Sequence, residues 1–203
     1  MYSIKSKTTN EITIKKSRFL AVAIPVFEES NIATILKKIK KEYLGANHYT
    51  YAYVIGDSGR IQKASDDGEP TRTAGFPILE VLHKHELTNI IVIVIRYFGG
   101  IKLGTGGLIR AYSSSASEVL KIVTLTKKVT TFKCSLKCSY DYLGDIDKYI
   151  RENTDLIDVS YDSEITFIFS LVSDNFKAIK NSLFNRNHYT DRLVILEEYS
   201  EYA

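Results

Sequence analysis

The sequence predicts an α+β protein of two domains, with the functional residues in the first. Three observations lead there. Residues 131–203 carry strand and helix patterns in the order β-α-β-β-α-β. The stretch Asn89–Arg96 is apolar almost throughout and lies between two helical patterns, as expected of a strand covered on both faces. The charge is divided: residues 1–128 hold 19 Lys and Arg against 11 Asp and Glu, and residues 129–203 hold 8 against 13. Two surfaces of opposite sign imply different partners.

Along the first domain, residues 1–128, strands are expected near 10–15 and 18–27. A helix over about 29–43 places Ile32, Ile35, Leu36 and Ile39 inward and stops at Gly45. Residues 48–56 and 60–65 form a hairpin pattern around Gly56-Asp57-Ser58-Gly59. A loop from Ser65 to Arg72 leads to a short helix at about 74–86, then to the apolar strand. A glycine-rich loop, Gly99–Gly107, opens a helix over about 106–122, and the domain join is expected at 124–130.

The second domain, residues 131–203, starts on a half-buried strand in which Phe132, Cys134, Leu136 and Cys138 share one face. Leu143, Ile146, Tyr149 and Ile150 recur at helical spacing. Strands over 155–161 and 164–172 follow, then a helix from Ser173 and Asp174 with Phe176, Ile179, Leu183 and Phe184 on one face. A last strand covers Arg192–Glu198. This succession is the ferredoxin-like split motif.

An apolar fraction of 44% with 25% charged residues is ordinary for a globular chain. Two cysteines are too few for a disulfide framework and suit a reducing, cytoplasmic setting. No signal peptide is expected. The apolar run Phe19–Phe27 is about half a membrane span and contains Pro25, so no membrane contact is expected.

The candidate functional segment is Arg96–Arg110, in which five of the eleven glycines (Gly99, Gly100, Gly104, Gly106 and Gly107) fall within nine residues. Glycine costs conformational entropy, so this density requires a reason. One is backbone approach to an anion, with free N–H groups at a helix start and Arg96, Lys102 and Arg110 supplying charge. The other is a tight turn with no ligand. The spacing matches neither a Walker loop nor the dinucleotide fingerprint.

Asp66, Asp67 and Glu69 could hold a hard cation. The preferred reading is that they order the loop by capping the next helix or pairing with Arg72, Arg96 or Arg110, so no metal and no cofactor are expected. His48, with Tyr49, Tyr51 and Tyr53, offers stacking on bases or simple strand packing. Cys134 and Cys138 fall in the core pattern and are expected to be structural, and Ser113-Ser114-Ser115 to allow close helix packing.

These segments together resemble the YigZ/IMPACT family. The matching residues are Lys16-Ser17-Arg18-Phe19, His48 with Ala52-Tyr53, Asp66–Pro70, Thr73-Ala74-Gly75 and Pro77-Ile78-Leu79. The longest block is Arg96-Tyr97-Phe98-Gly99-Gly100 with Leu103-Gly104, Gly106-Gly107-Leu108 and Arg110-Ala111-Tyr112. Arg72 departs from the pattern, which has glycine there. The resemblance implies a first domain like elongation factor G domain IV, of the ribosomal protein domain 2-like group, and a second like its domain V. It further implies relatives that act in translational control.

The leading functional expectation is a noncatalytic protein that binds RNA or the ribosome. Phosphates would meet the glycine loop with Lys102 and Arg110, while His48 and the tyrosines Tyr49, Tyr51 and Tyr53 would offer stacking. A phosphate- or nucleotide-dependent enzyme is the first alternative, because Gly104-Thr105-Gly106-Gly107 resembles the phosphate loop of small-molecule kinases. Its serines come too late after the glycines, and no general base or other catalytic residue can be assigned. A protein-binding adaptor docking through the acidic second domain is the other alternative.

Overall fold

The computed structural model describes residues 1–185 and 192–202. The fold is α+β, and the chain divides into two compact units, Met1–Lys127 and Lys128–Ala203.

The first unit is built on β2 (Thr8–Ile14), β3 (Ser17–Pro25), β4 (His48–Ile55), β5 (Ile61–Ser65) and β6 (Ile90–Tyr97). These form one antiparallel sheet in the order β2-β3-β6-β4-β5. Three helices cover it: α1 (Ile32–Glu42), α2 (Gly75–Lys84) and α3 (Thr105–Leu120). The central β6 shows why its sequence is so apolar. Ile91, Ile93 and Ile95 pack with Ile32 and Ile39 of α1, and Ile90, Val92 and Val94 pack with Ile78 of α2 and Ala116 of α3 on the other face. All six are fully buried.

The sequence pattern misses a three-residue strand, β1 (Tyr2–Ile4). It pairs with the start of β7 (Leu125–Cys138), through Tyr2 with Lys127 and Ile4 with Leu125. That explains why β7 begins at Leu125 and not at 131, inside the stretch expected to be a join.

The second unit runs on through the rest of β7, α4 (Leu143–Asn153), β8 (Asp155–Tyr161), β9 (Ile165–Val172), α5 (Ser173–Asn185) and β10 (Leu193–Tyr202). Its strands lie antiparallel in the order β10-β7-β9-β8, the ferredoxin-like arrangement. Period-2 alternation gives the core directly: Cys134, Leu136 and Cys138 of β7 meet Phe167 and Phe169 of β9, Ile146 and Ile150 of α4, and Ile179 and Leu183 of α5. Phe184 lies outside the described side chains. Burial pushes the Cys134 thiol up to about 11 and the Cys138 thiol upward as well. Both cysteines are free and buried. Among the described residues no helix is long and apolar enough to cross a membrane.

Candidate functional site

The site lies on the α2–α3 side of the first sheet. Strand register sets Phe19, Arg96 and His48 side by side across β3, β6 and β4. Arg96 follows Ile90, Val92 and Val94 at the same parity, so it enters this face although it is charged. Its guanidinium donates from Nη1 to Oε1 of Glu69 at 2.6 Å, lies 3.5 Å from Ser17 Oγ, and faces the Phe19 ring. Both side chains of the pair are under a tenth exposed. Tyr112 of α3 also donates to Glu69 Oε1, at 2.6 Å. Burial, then this carboxylate, push the Tyr112 phenol far upward, so it remains a donor.

Asp66 and Asp67 of the acidic loop hold backbone, while Glu69 holds the side chains of Arg96 and Tyr112. Asp66 Oδ1 accepts from the amides of Ala74 and Gly75 at the start of α2, and Oδ2 accepts from Arg72 N–H at 2.7 Å. Asp67 Oδ2 accepts from Tyr49 N–H at 2.7 Å, while its carbonyl lies 2.8 Å from His48 Nδ1. Gly75 is required by crowding, since a Cβ there would come within 2.5 Å of the Ser65 backbone. Arg72 sits at φ +62°, in the left-handed region that suits glycine, with its guanidinium 4.1 Å from the Phe76 ring centre. Among the described residues no cluster of His, Cys, Asp or Glu could hold a metal ion.

The glycine loop separates into glycines with internal reasons and one without. A Cβ on Gly99 would lie 2.0 Å from the Lys16 carbonyl, so close strand contact demands glycine. Gly100 and Gly104 have φ of +84° and +72°. Gly107 lies against Leu103. Gly106 has neither positive φ nor a crowded Cβ position, the nearest atom being Arg110 Nη1 at 4.0 Å. It stands in the first turn of α3, and glycine forms helix less well than alanine, by up to about 1 kcal/mol in a helix interior. The first helical bond runs from Leu108 N–H to Gly104 O, so the amides of Thr105, Gly106 and Gly107 have no intrahelical acceptor.

The cations expected to serve one site are distributed differently. Arg96 is committed to Glu69 and does not flank the loop as a free charge. Lys102 lines a cleft of about 440 Å³ together with His48, Arg96, Phe98 and Gly104. Arg110 lines a second cleft, of about 180 Å³, with Lys15, Gly107 and Ser114, and Leu103 borders both. Neither Lys102 nor Arg110 makes an ion pair among the described residues. Tyr49, Tyr51 and Tyr53 lie on the opposite sheet face, against α1, because their parity on β4 is opposite to that of His48. They cannot join His48 in stacking. Burial and the Glu29 carboxylate push Tyr53 up to about 12, in keeping with a packing role.

Sequence reasoning about the site missed Lys15 and Phe98, which line the clefts, and Tyr112, which holds Glu69. Lys15 and Lys16 form the β2–β3 turn at φ +43° and +66°. That pair is unusual, since two-residue hairpins of this kind favour Asn and Gly.

A family model described as the Impact N-terminal domain matches residues 15–120, a span that contains the acidic loop and the lining of both clefts except Ile14. The chain belongs to the IMPACT family. The IMPACT family member YvyE of Bacillus subtilis is 42% identical over 167 residues, covering 82% of this chain and 77% of the relative. A solved structure described as a hypothetical protein aligns over 97% of both chains at 28% identity with a TM-score of 0.61. The solved two-domain translational regulator Yih1 aligns over 59% of this chain and 48% of its own at 28% identity and a TM-score of 0.41. Within this IMPACT-family chain, the matched segment ends at the last residue of α3, so the site, Ile14 aside, lies in the family domain.

Proposed function

We propose that the first unit binds RNA through the phosphate backbone at the glycine loop, in translation or its regulation, and catalyses no reaction. The observation that carries this reading is Gly106. Crowding and backbone angle account for its neighbours, whereas Gly106 weakens α3 for no internal reason. A bare backbone beside three uncommitted amides is what an anion at a helix start requires. The unpaired Lys102 and Arg110 stand on either side, and Lys15 extends the cationic surface. Phosphate contacts of this kind position a nucleic acid without reading its sequence. The family resemblance, which implies relatives in translational control, is the ground for placing the contact in translation, and the excess of Lys and Arg in residues 1–128 supports a polyanionic partner.

The test is RNA binding over a range of salt concentrations. Lys102→Glu and Arg110→Glu should each weaken binding several-fold across RNA sequences and flatten the salt slope by about one. Gly106→Ala should stabilise the fold by about 0.5–1 kcal/mol while weakening RNA binding. Unchanged affinity and slope in both charge reversals would overturn the reading and favour a protein-docking role for the acidic second unit.

A further inference from the structure

Four features of the larger cleft go beyond a phosphate contact. Phe98 is 46% exposed, yet its backbone is fixed: its N–H donates to Asn47 Oδ1 at 2.8 Å, and the next amide, of Gly99, donates to Ser17 Oγ. The Arg96 guanidinium backs the ring at 5.4 Å from its centre. An anchored, half-exposed aromatic that belongs to no described core cluster is a platform. The cleft also has apolar lining from Pro70, Leu103 and Leu108. His48 is held through Nδ1 at the Asp67 carbonyl, while its Nε2 is 3.8 Å from Glu69 Oε1, beyond hydrogen-bond reach. Finally, Arg96, itself 5% exposed and part of the cleft wall, has an Nε–H with no acceptor.

We infer that this cleft seats one unpaired nucleotide of the bound RNA, its base against Phe98 and its phosphate at Lys102 and the first turn of α3. The inference rests on the RNA-binding reading above and adds which RNA is taken. A base offers a flat apolar face and a polar edge, matching Phe98 and the apolar walls on one hand and His48 Nε2 on the other. The volume, about 440 Å³, lies within the range of small-molecule sites, roughly 300–1,000 Å³. A duplex keeps its base faces stacked and cannot offer one. The cleft therefore selects single strands, loops or extruded bases.

The experiment compares the full chain and its Phe98→Ala variant on a single-stranded oligoribonucleotide and on the same strand annealed to its complement. The wild type should prefer the single strand. Phe98→Ala should lose on the order of tenfold in single-strand affinity, with duplex affinity and salt slope unchanged, and Phe98→Tyr should restore the preference. Equal affinity for both forms, or a preference that survives Phe98→Ala, overturns this inference. If Lys102→Glu still weakens binding in that case, the phosphate reading stands alone. Absence of binding to either RNA overturns both.

Discussion

The two units of this chain follow local rules to different degrees. In the second, alternation along β7 and β9 and helical spacing along α4 and α5 name the core, and the described buried residues there are apolar apart from Thr131. In the first, a charged pair is buried at Arg96 and Glu69, and among the described residues all six non-glycine residues at positive φ occur there: Lys15, Lys16, Asp67, Arg72, Glu86 and Asn89. Four of those six adjoin the candidate site. Sequences are expected to be consistent at every level except where function imposes a cost. The concentration of exceptions in one unit, around one loop, marks where that cost lies.

The largest test of this contrast is Glu69→Ala. It leaves the Arg96 guanidinium buried without its partner and removes the acceptor of Tyr112, at a cost of about 3–5 kcal/mol. Chemical denaturation should show the first unit unfolding early, while residues 128–203 produced alone keep a cooperative transition. A loss below about 1 kcal/mol would mean that the charge pair is not integral to the first unit.

Asp66→Ala sharpens the contrast at intermediate scale. Three backbone amides lose their acceptor, so stability should fall by about 1–3 kcal/mol. Added magnesium or manganese should leave the melting temperature of the parent unchanged. A saturable metal-dependent rise that Asp66→Ala abolishes would give the acidic loop a different role.

Arg72→Gly is the smallest effect and has the opposite sign. Relief of a left-handed conformation is worth about 1–2 kcal/mol, and loss of the Phe76 contact returns about 0.5–1. Thermal unfolding should show a net gain of about 0.5–1 kcal/mol. A net loss would show that the ring contact outweighs the backbone strain.

What the sequence disclosed follows the same division. The second unit was legible because period-2 and helical patterns alone decide its burial. The glycine loop was legible as a location, because glycine density needs no structural context to be seen. The roles within it were less so. The burial of Arg96 follows from its parity with Val92 and Val94, a signal present in the sequence but outweighed by its position beside the loop. The separation of His48 from the tyrosines follows from the same counting. By contrast, nothing local indicates that Gly99 meets Lys16, or that Lys15 and Lys16 turn at positive φ, since both depend on contacts between distant segments. Strand β1 escaped for this reason too: three residues carry no period, and their partner is far along the chain.

The pairing of Ile4 with Leu125 also bears on when the first unit can be completed during synthesis. Ile4 is buried in the core beside α2 and α3; Tyr2 bonds the chain at Glu86 and Thr88, but the antiparallel ladder of its strand forms only when roughly 120 further residues have been made. At bacterial and eukaryotic elongation rates of about 5–20 residues per second, that delay is on the order of ten seconds. Throughout it the β2–β3 hairpin and the α1 face can assemble, but the sheet segment closed by β1 cannot. The nascent chain therefore lacks the ladder at Tyr2–Ile4 until Leu125–Lys127 emerge, and the first unit is completed only as the second begins to be translated.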